Sequence, residues 1–373
     1  MQKKLLIVAA LSARGYAQAA VACGYEVVAI DAFADADTQR MTKQAFKVKL
    51  QAETIDTAEF KRVFSEINIT HCIGFIYGSL FDGAHELLDW VAERLAILGN
   101  PAKVMRLAKS AAFFDLLRTN AIAYPPIQLK QKQQDGLFKS SEQWLSKKFG
   151  STGGMHVKPL VQHDESAEYF QRKVAGLPVS LLFLSDGISA KTVGYNLQLL
   201  APTEELPYRF AGAVSHYDLP ISAKNTLDRA TQTLTEKLRL RGCNSLDAIF
   251  DGHEVWVLEL NPRLSASFQL YPNLMQAHLQ GCYGDSLDIP TCTKSRAQFI
   301  LYADRALEIP TEFDWPEGMT DIPAVNKGDK VVSINNNAPI CTVNAEAETA
   351  EQALKLVLEK TEILKNKLFL NSH

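Results

Sequence analysis

The first hundred residues alternate between short unbroken apolar runs and amphipathic stretches. That alternation limits the possible folds more than any other feature of the chain. Residues 4–10 (KLLIVAA), 25–30 (YEVVAI) and 71–76 (HCIGFI) are the apolar runs. Strands covered on both faces read this way, because neither side of the pleat meets water. Residues 13–23, 57–67 and 84–97 fit helices, and Gly24 stands where the first helix should stop. Strand and helix in turn, with short links, predict a parallel α/β unit. Such sheets bind ligands beyond the carboxyl ends of their strands. The loop after the first run is ALSARG and not GxGxxG, so a dinucleotide fold of the usual kind is not expected.

Past Leu98-Gly99-Asn100-Pro101 the pattern changes. Residues 102–118 have helical period, closed by Asn120 to Pro126, and residues 128–142 are a polar excursion. Trp144 to Pro159 reads as a β-hairpin whose connection is rich in Gly, Ser and Thr. Two strands, 179–184 and 188–199, flank the turn Ser185-Asp186-Gly187. A polar amphipathic helix at 224–238 precedes strands at 245–250 and 254–260, joined across Asp251-Gly252. Further strands are expected near 297–302, 330–333 and 339–343, then a helix from 348 to 366. A chain of 373 residues exceeds one ordinary core, so several packed domains are expected.

Composition removes some functions. Lys and Arg number 39 against 42 Asp and Glu, a formal charge of −3, which favours neither nucleic acid nor an anionic membrane. The run Leu5 to Leu11 is short for a signal sequence and gives way to Ser12 and Arg14, so a buried first strand explains it better. No stretch approaches the ~20 apolar residues of a membrane span. Cys23, Cys72, Cys243, Cys282, Cys292 and Cys341 are scattered without a CxxC pair, which suggests neither a zinc site nor a disulfide framework. A cytoplasmic location is expected.

The strongest local signal for chemistry is Leu258-Glu259-Leu260-Asn261-Pro262-Arg263. Glu259 and Asn261 are two apart and share one face of a strand, while Leu258 and Leu260 turn to a core. A carboxylate and an amide oxygen so placed suit a hard cation such as Mg²⁺. Pro262 ends the strand, and Arg263 follows with a planar fork matched to phosphate oxygens. Asp247 lies on the preceding strand. A three-residue connection (Asp251 to His253) puts it opposite Val257 and on the face of Glu259, whereas a two-residue connection turns it away. The competing reading is an edge hairpin with solvated acids.

Gly150-Ser151-Thr152-Gly153-Gly154 is the second signal: its backbone N–H groups can wrap an anion, and its hydroxyls add donors. No Gly-Lys-Ser/Thr follows, so it is not a Walker loop. Lys147 and Lys148 precede it on a strand, where only one can point inward. Lys147 is preferred and Lys148 is the fallback. Lys109, in RLAKSAAFF, is a lone lysine in an otherwise apolar helix. By itself it reads as a surface residue.

Taken together, these pieces resemble the ATP-grasp superfamily. They run in order from the α/β unit through LGNP, a lysine before a helix and a glycine hairpin to LELNPR. The likeness is nearest to predicted carboxylate-amine ligases of the carboxylase-like branch, some linked to one-carbon cofactor biosynthesis, and it covers almost the whole chain. It implies an ATP-grasp fold: an N-terminal α/β domain over 1–98, an ATP-grasp domain over 99–289 with a lid at about 110–176, and a small C-terminal domain over 290–373 with a packing and closure role. It implies ATP and Mg²⁺ as cofactors. Lys109 and Lys147 would contact the phosphates, and Gly150 to Gly154 would close over them. Asp247, Glu259 and Asn261 would hold the metal, and Arg263 would steady the transferred phosphoryl group. The adenine hinge would fall on Gln171-Arg172-Lys173-Val174. Family members often carry glutamate after the glutamine, where this chain has Arg172. The implied reaction activates a carboxylate as an acyl-phosphate and joins it to an amine. Both partners would be small molecules, and a homodimer is the prior expectation. The alternatives are a biotin-carboxylase-like carboxylase and a non-catalytic nucleotide-binding regulator. His156, His216 and Asp218 are candidate bases for the acceptor amine.

Overall fold

The computed structural model describes residues 3–51, 54–130, 143–160, 166–285 and 287–370. Four parallel strands form the N-terminal sheet: β1 (Leu5–Ala9), β2 (Glu26–Asp31), β3 (Gln44–Lys47) and β4 (Cys72–Tyr77), in the order β3-β2-β1-β4. The unbroken apolar run of β1 has a direct cause. Leu6 and Val8 enter one core with helix α1 (Arg14–Ala22), while Leu5, Ile7 and Ala9 enter another with α3 (Thr57–Glu66) and α4 (His85–Ala92). The expected stop at Gly24 is met, with φ at +87°.

Helix α5 (Ala102–Ala108) and helix α6 (Ala111–Thr119) replace the single helix expected over 102–118. The chain breaks at Lys109 and Ser110, which leave helical backbone geometry (Lys109 φ −107°, ψ 40°; Ser110 φ −147°, ψ 173°). Next comes a small antiparallel sheet of β5 (Ile127–Leu129), β6 (Trp144–Lys147), β7 (Lys158–Pro159) and β8 (Tyr169–Arg172), in the order β5-β8-β6-β7. The hairpin expected over 144–159 is therefore present as β6 and β7. Most of the polar excursion, 131–142, lies outside the described residues.

Two short ladders pair Leu50–Gln51 with Thr54–Ile55 and Leu307–Pro310 with Val331–Ile334, and an eight-stranded sheet makes up the rest. Its strands are β9 (Leu177–Asp186), β10 (Ala190–Leu200), β11 (Phe210–Val214), β12 (Arg241–Phe250), β13 (Val255–Asn261), β14 (Ser295–Tyr302), β15 (Met319–Thr320) and β16 (Pro339–Ala347). The order is β13-β12-β9-β10-β11-β14-β16-β15, so three of the tail strands extend the central sheet. Val179, Leu181 and Phe183 face α6 and α7 (Ile221–Leu238), whereas Leu182 and Leu184 face α8 (Leu274–Tyr283) and α1. The helices α1 and α8 thus lie between the two large sheets. The last helix, α9 (Ala350–Leu370), packs on β14 and β16.

The N-terminal unit and the tail also meet through polar groups. Arg14 is 4% exposed and donates to Asp321 at 2.9 Å, while Ser12 donates to the same carboxylate at 3.0 Å. The Asp321 N–H donates to Asp37 at 3.0 Å. Asp31 caps the first loop by accepting from the N–H groups of Ala13, Phe33 and Ala34. All six cysteines are free.

Candidate active site

The carboxylates of Asp247 and Glu259 come together by a route the sequence did not show. The connection between β12 and β13 has four residues, Asp251 to Glu254, with Phe250 paired to Val255. An even connection alone would turn Asp247 away. A bulge between Asp247 and Ala248 corrects it, so that Ala248 pairs with Val257 while Asp247 pairs directly with Glu259. The bulge sets one extra residue, Leu258, against that step and restores the shared face. The odd-loop expectation is therefore wrong, and its conclusion survives for another reason.

Around this pair the structure gathers groups from the N-terminal unit, the α5–α6 break and the small sheet. Lys109, held at the break between α5 and α6 and 6% exposed, donates to Asn261 Oδ1 at 2.7 Å and to Glu259 at 3.3 Å. It is not a surface lysine. Lys147 is buried and donates to Gln171 Oε1 at 2.6 Å, while Lys148 is exposed, so the alternation favours Lys147 as expected. Burial pushes the Lys147 ammonium down to about 8 against the pull of Glu259 and Asp247. Gln171 Nε2 is buried without a hydrogen-bond partner among the described residues.

Arg263 is 7% exposed and forks onto Asp82, with Nε to Oδ1 at 2.9 Å and Nη2 to Oδ2 at 2.6 Å. Nη2 also reaches Asn261 Oδ1 at 3.0 Å, and Nη1 reaches the Leu264 carbonyl at 3.2 Å. The fork expected to meet a phosphoryl group is taken by a carboxylate, which makes Arg263 a positioning residue in this conformation. Asp82, 1% exposed, was missed in the sequence. It follows β4 through the turn Ser79–Phe81, at the carboxyl edge of the parallel sheet where ligands are expected. Nothing in SLFDGAH marked it, and its partner lies 181 residues away.

Asn261 also departs from its expected role. Its Oδ1 faces Lys109 and Arg263, and its Nδ2 donates to Asp247 at 3.0 Å and Glu259 at 3.3 Å. The amide N–H group thus occupies the position between the carboxylates where a cation would sit. Two facing carboxylates fit a hard cation. Asn261 fits as a third ligand only after its amide turns over. Burial and the facing Glu259 push the Asp247 carboxyl up, whereas Lys109 and Arg263 outweigh burial and hold Glu259 down. The Glu259 side chain is 41% exposed against 3% for Lys109, so it forms the open mouth of the cluster.

The glycine loop sits over this mouth. Gly150, Gly153 and Gly154 have φ near +70°. A Cβ on Gly150 would stand 3.0 Å from the Asp82 carbonyl, and one on Gly154 only 2.0 Å from that of Tyr208. Ser151 and Thr152 are half-buried. His156, at the end of the loop, lies in the field of Glu259, Lys147, Lys109 and Lys148. Burial, with the lysines acting the same way, pushes its imidazole down to about 4 against the pull of Glu259. The other candidate bases are elsewhere. His216 packs edge-on to Tyr271 with ring centroids 5.1 Å apart, and Asp218 pairs with Lys224 on the surface. At the hinge, the N–H groups of Arg172 and Lys173 donate to the carbonyls of Pro126 and Gln143. The side chains of Arg172 and Lys173 are exposed, and Val174 is half-buried.

A second missed feature is a polar row. Ser180 on β9 pairs with Asp247 on one side and Asn196 on the other, so Glu259, Asp247, Ser180 and Asn196 line one face in sequence. The lone serine in VSLLFL was the available signal.

Residues 109–267 match the family described as an ATP-grasp domain. The architecture as a whole is the three-part ATP-grasp fold. No curated protein matches the chain. Among solved structures, pyruvate carboxylase of Rhizobium etli is similar at 12% identity and a TM-score of 0.73, covering 96% of this chain and 37% of that one. This chain thus spans little more than a third of that enzyme. The biotin carboxylase domain dimer of Hydrogenobacter thermophilus 2-oxoglutarate carboxylase, holding MgADP, ADP and bicarbonate, is similar at 11% identity and a TM-score of 0.70, covering 95% and 89%. Phosphoribosylamine–glycine ligase of Thermotoga maritima is similar at 15% identity and a TM-score of 0.69, covering 96% of each chain. At these identities the likeness is one of fold. No helix among the described residues is long and apolar enough to cross a membrane.

Proposed function

We propose that the protein uses ATP and Mg²⁺ to activate a small carboxylate, in a carboxylase-type reaction with bicarbonate as the acid. The observation that carries this reading is the convergence of Lys109, Lys147, Asp247 and Glu259 beneath the glycine loop. Two buried lysines beside a carboxylate pair suit a polyphosphate that arrives with its own cation. Asp247 and Glu259 would hold Mg²⁺, with Asn261 joining after its amide turns. When bound, the cation would offset charge on the phosphates. Lys109 and Lys147 would bind phosphate oxygens, and Lys147 would exchange its bond to Gln171 for one. The bond between Arg263 and Asp82 would fix the strand end that carries Asn261. The carboxylate oxygen would attack the terminal phosphorus, and ADP would leave with the bridging electron pair. The loop would keep water from the mixed anhydride. The solved likeness with bound MgADP and bicarbonate supports this choice of acid. That structure is a dimer, and we propose the same state here.

Amide formation between an organic acid and an amine, in one-carbon cofactor biosynthesis or elsewhere, is the second reading. The full-length match to phosphoribosylamine–glycine ligase favours it. One assay separates the two: ADP release from ATP and Mg²⁺, with bicarbonate or with a panel of amino and organic acids, each with and without amines. Bicarbonate-dependent ADP release is expected, with labelled carbon fixed only where an added amine accepts the carboxyl group and phosphate leaves. Release only with an acid and an amine together, with an amide product by mass, would replace the first reading by the second. No release under any condition would refute both.

A further inference from the structure

We propose that His156 is a phosphate-binding residue that donates a hydrogen bond from its imidazole Nδ1 to the β- or γ-phosphate of the nucleotide. This rests on the reading of the site as a nucleotide site and adds to it a side chain that the glycine loop does not itself supply.

The argument is geometric. His156 Nδ1 is buried without a hydrogen-bond partner among the described residues. A buried nitrogen in that state costs free energy unless something arrives to satisfy it. The loop cannot readily carry the ring away. The Phe210 N–H donates to the Gly153 carbonyl at 2.9 Å, and the Val157 N–H donates to that of Gly154 at 3.1 Å. On the other flank, Gly154 lies hard against the Tyr208 carbonyl and Gly150 against that of Asp82. The imidazole is thus held in the electrostatic field of Glu259, Lys147, Lys109 and Lys148.

Those surroundings select the ligand. Three ammonium groups around a neutral ring leave room for anionic oxygens and disfavour a metal ion at the ring itself. An Nδ1–H donor then complements a phosphate oxygen without adding charge to a place already crowded with cations. Glu259, which would help hold the cation shared by the terminal phosphates, acts on the ring, so the contact belongs to those phosphates.

The test compares AMP, ADP and ATP binding, each with Mg²⁺, to the wild-type protein and to His156→Ala, His156→Asn and His156→Gln. Asparagine presents an N–H near the Nδ1 position, and glutamine presents one near Nε2. In His156→Ala, the dissociation constants for ADP and ATP should rise about tenfold while that for AMP stays within twofold. His156→Asn should recover most of the loss, and His156→Gln should not. Equal weakening for all three nucleotides, or none for ADP and ATP, overturns the proposal. If His156→Ala does not fold, the Asn and Gln pair decides, since the reverse ranking also overturns it. A wild-type protein that binds none of the three refutes the nucleotide-site reading as well, which distinguishes that failure from one confined to His156.

Discussion

Two buried ionic clusters both act on Tyr16 of α1, and they handle charge differently. At the candidate site, three carboxylates (Asp82, Asp247 and Glu259) meet three cations (Lys109, Lys147 and Arg263). Charge there balances, yet Gln171 Nε2 and His156 Nδ1 remain unpartnered and Glu259 stays open. At the junction with the tail, four carboxylates (Asp31, Asp35, Asp37 and Asp321) surround a single Arg14. That cluster also keeps Asp35 Oδ2 and Asp37 Oδ1 buried without hydrogen-bond partners among the described residues, and burial with the neighbouring acids pushes Asp35 up to about 8. Both leave polar atoms unsatisfied, but the site also holds an exposed carboxylate, Glu259. The other relieves its excess charge with a proton and serves as a lock. Ion pairing alone therefore does not mark a site, whereas unsatisfied polarity beside an opening does.

The largest effect should come from breaking the lock. Arg14→Met strands buried carboxylates, and loss of one partner of such a pair costs about 3–5 kcal/mol. Urea unfolding should show it, with nucleotide affinity of the folded fraction changed by less than about threefold. A stability loss under about 1 kcal/mol would show that the cluster is not a lock.

Glu259→Gln should do the reverse. The change keeps volume and removes the charge at the open mouth, so ADP release should fall about a hundredfold or more, near 2.7 kcal/mol. The melting temperature should stay within a few degrees. Near-normal turnover would remove Glu259 from the mechanism.

Two glycines sharpen the contrast between loop and lock. Gly153→Ala meets open space, with the nearest atom at 3.8 Å, and should cost about 1 kcal/mol for its positive φ alone. Gly154→Ala must also displace the Tyr208 carbonyl and should cost more in apo stability and in ADP release. Equal effects at the two positions would mean that the loop is not seated on Tyr208.

The smallest effect is a slope. Asp35 has a folded value of about 8, above the ~3.9 of an unfolded aspartate. Between those values the folded chain keeps a proton that the unfolded chain has lost, so this group's contribution to stability falls as pH rises from about 4 to 8. Asp35→Asn cannot ionise there, so it should gain on the wild type across that window. Parallel urea midpoints for the two proteins at pH 5, 7 and 9 would contradict the assignment.

What the sequence made legible followed from local pattern. The two-sided apolar runs placed β1, β2 and β4, and the i, i+2 spacing of Glu259 and Asn261 placed them on one strand. The bulge at Leu258 was not legible, because it depends on how two strands settle against Asp247 and not on either strand alone. Nor was the break at Lys109, although Ser110 stands as a helix cap residue before AAFF and was the available clue. Asp82 and Arg14 were hidden for a plainer reason: their partners, Arg263 and Asp321, lie 181 and 307 residues away.

The continuous central sheet has a mechanical consequence. Glu259 and the tail strand β16 belong to one hydrogen-bonded plate, which resists shear along its whole width. The tail can stiffen the site but cannot swing relative to it, so the closure role expected of the C-terminal segment does not suit it. Movement must occur where ladders end: at residues 173–176, which connect the small sheet to β9, and across the side-chain layer between the two large sheets. The molecule is built as an anvil with one light jaw, and the glycine loop, bonded to Phe210 and seated on Tyr208, is the clasp between them.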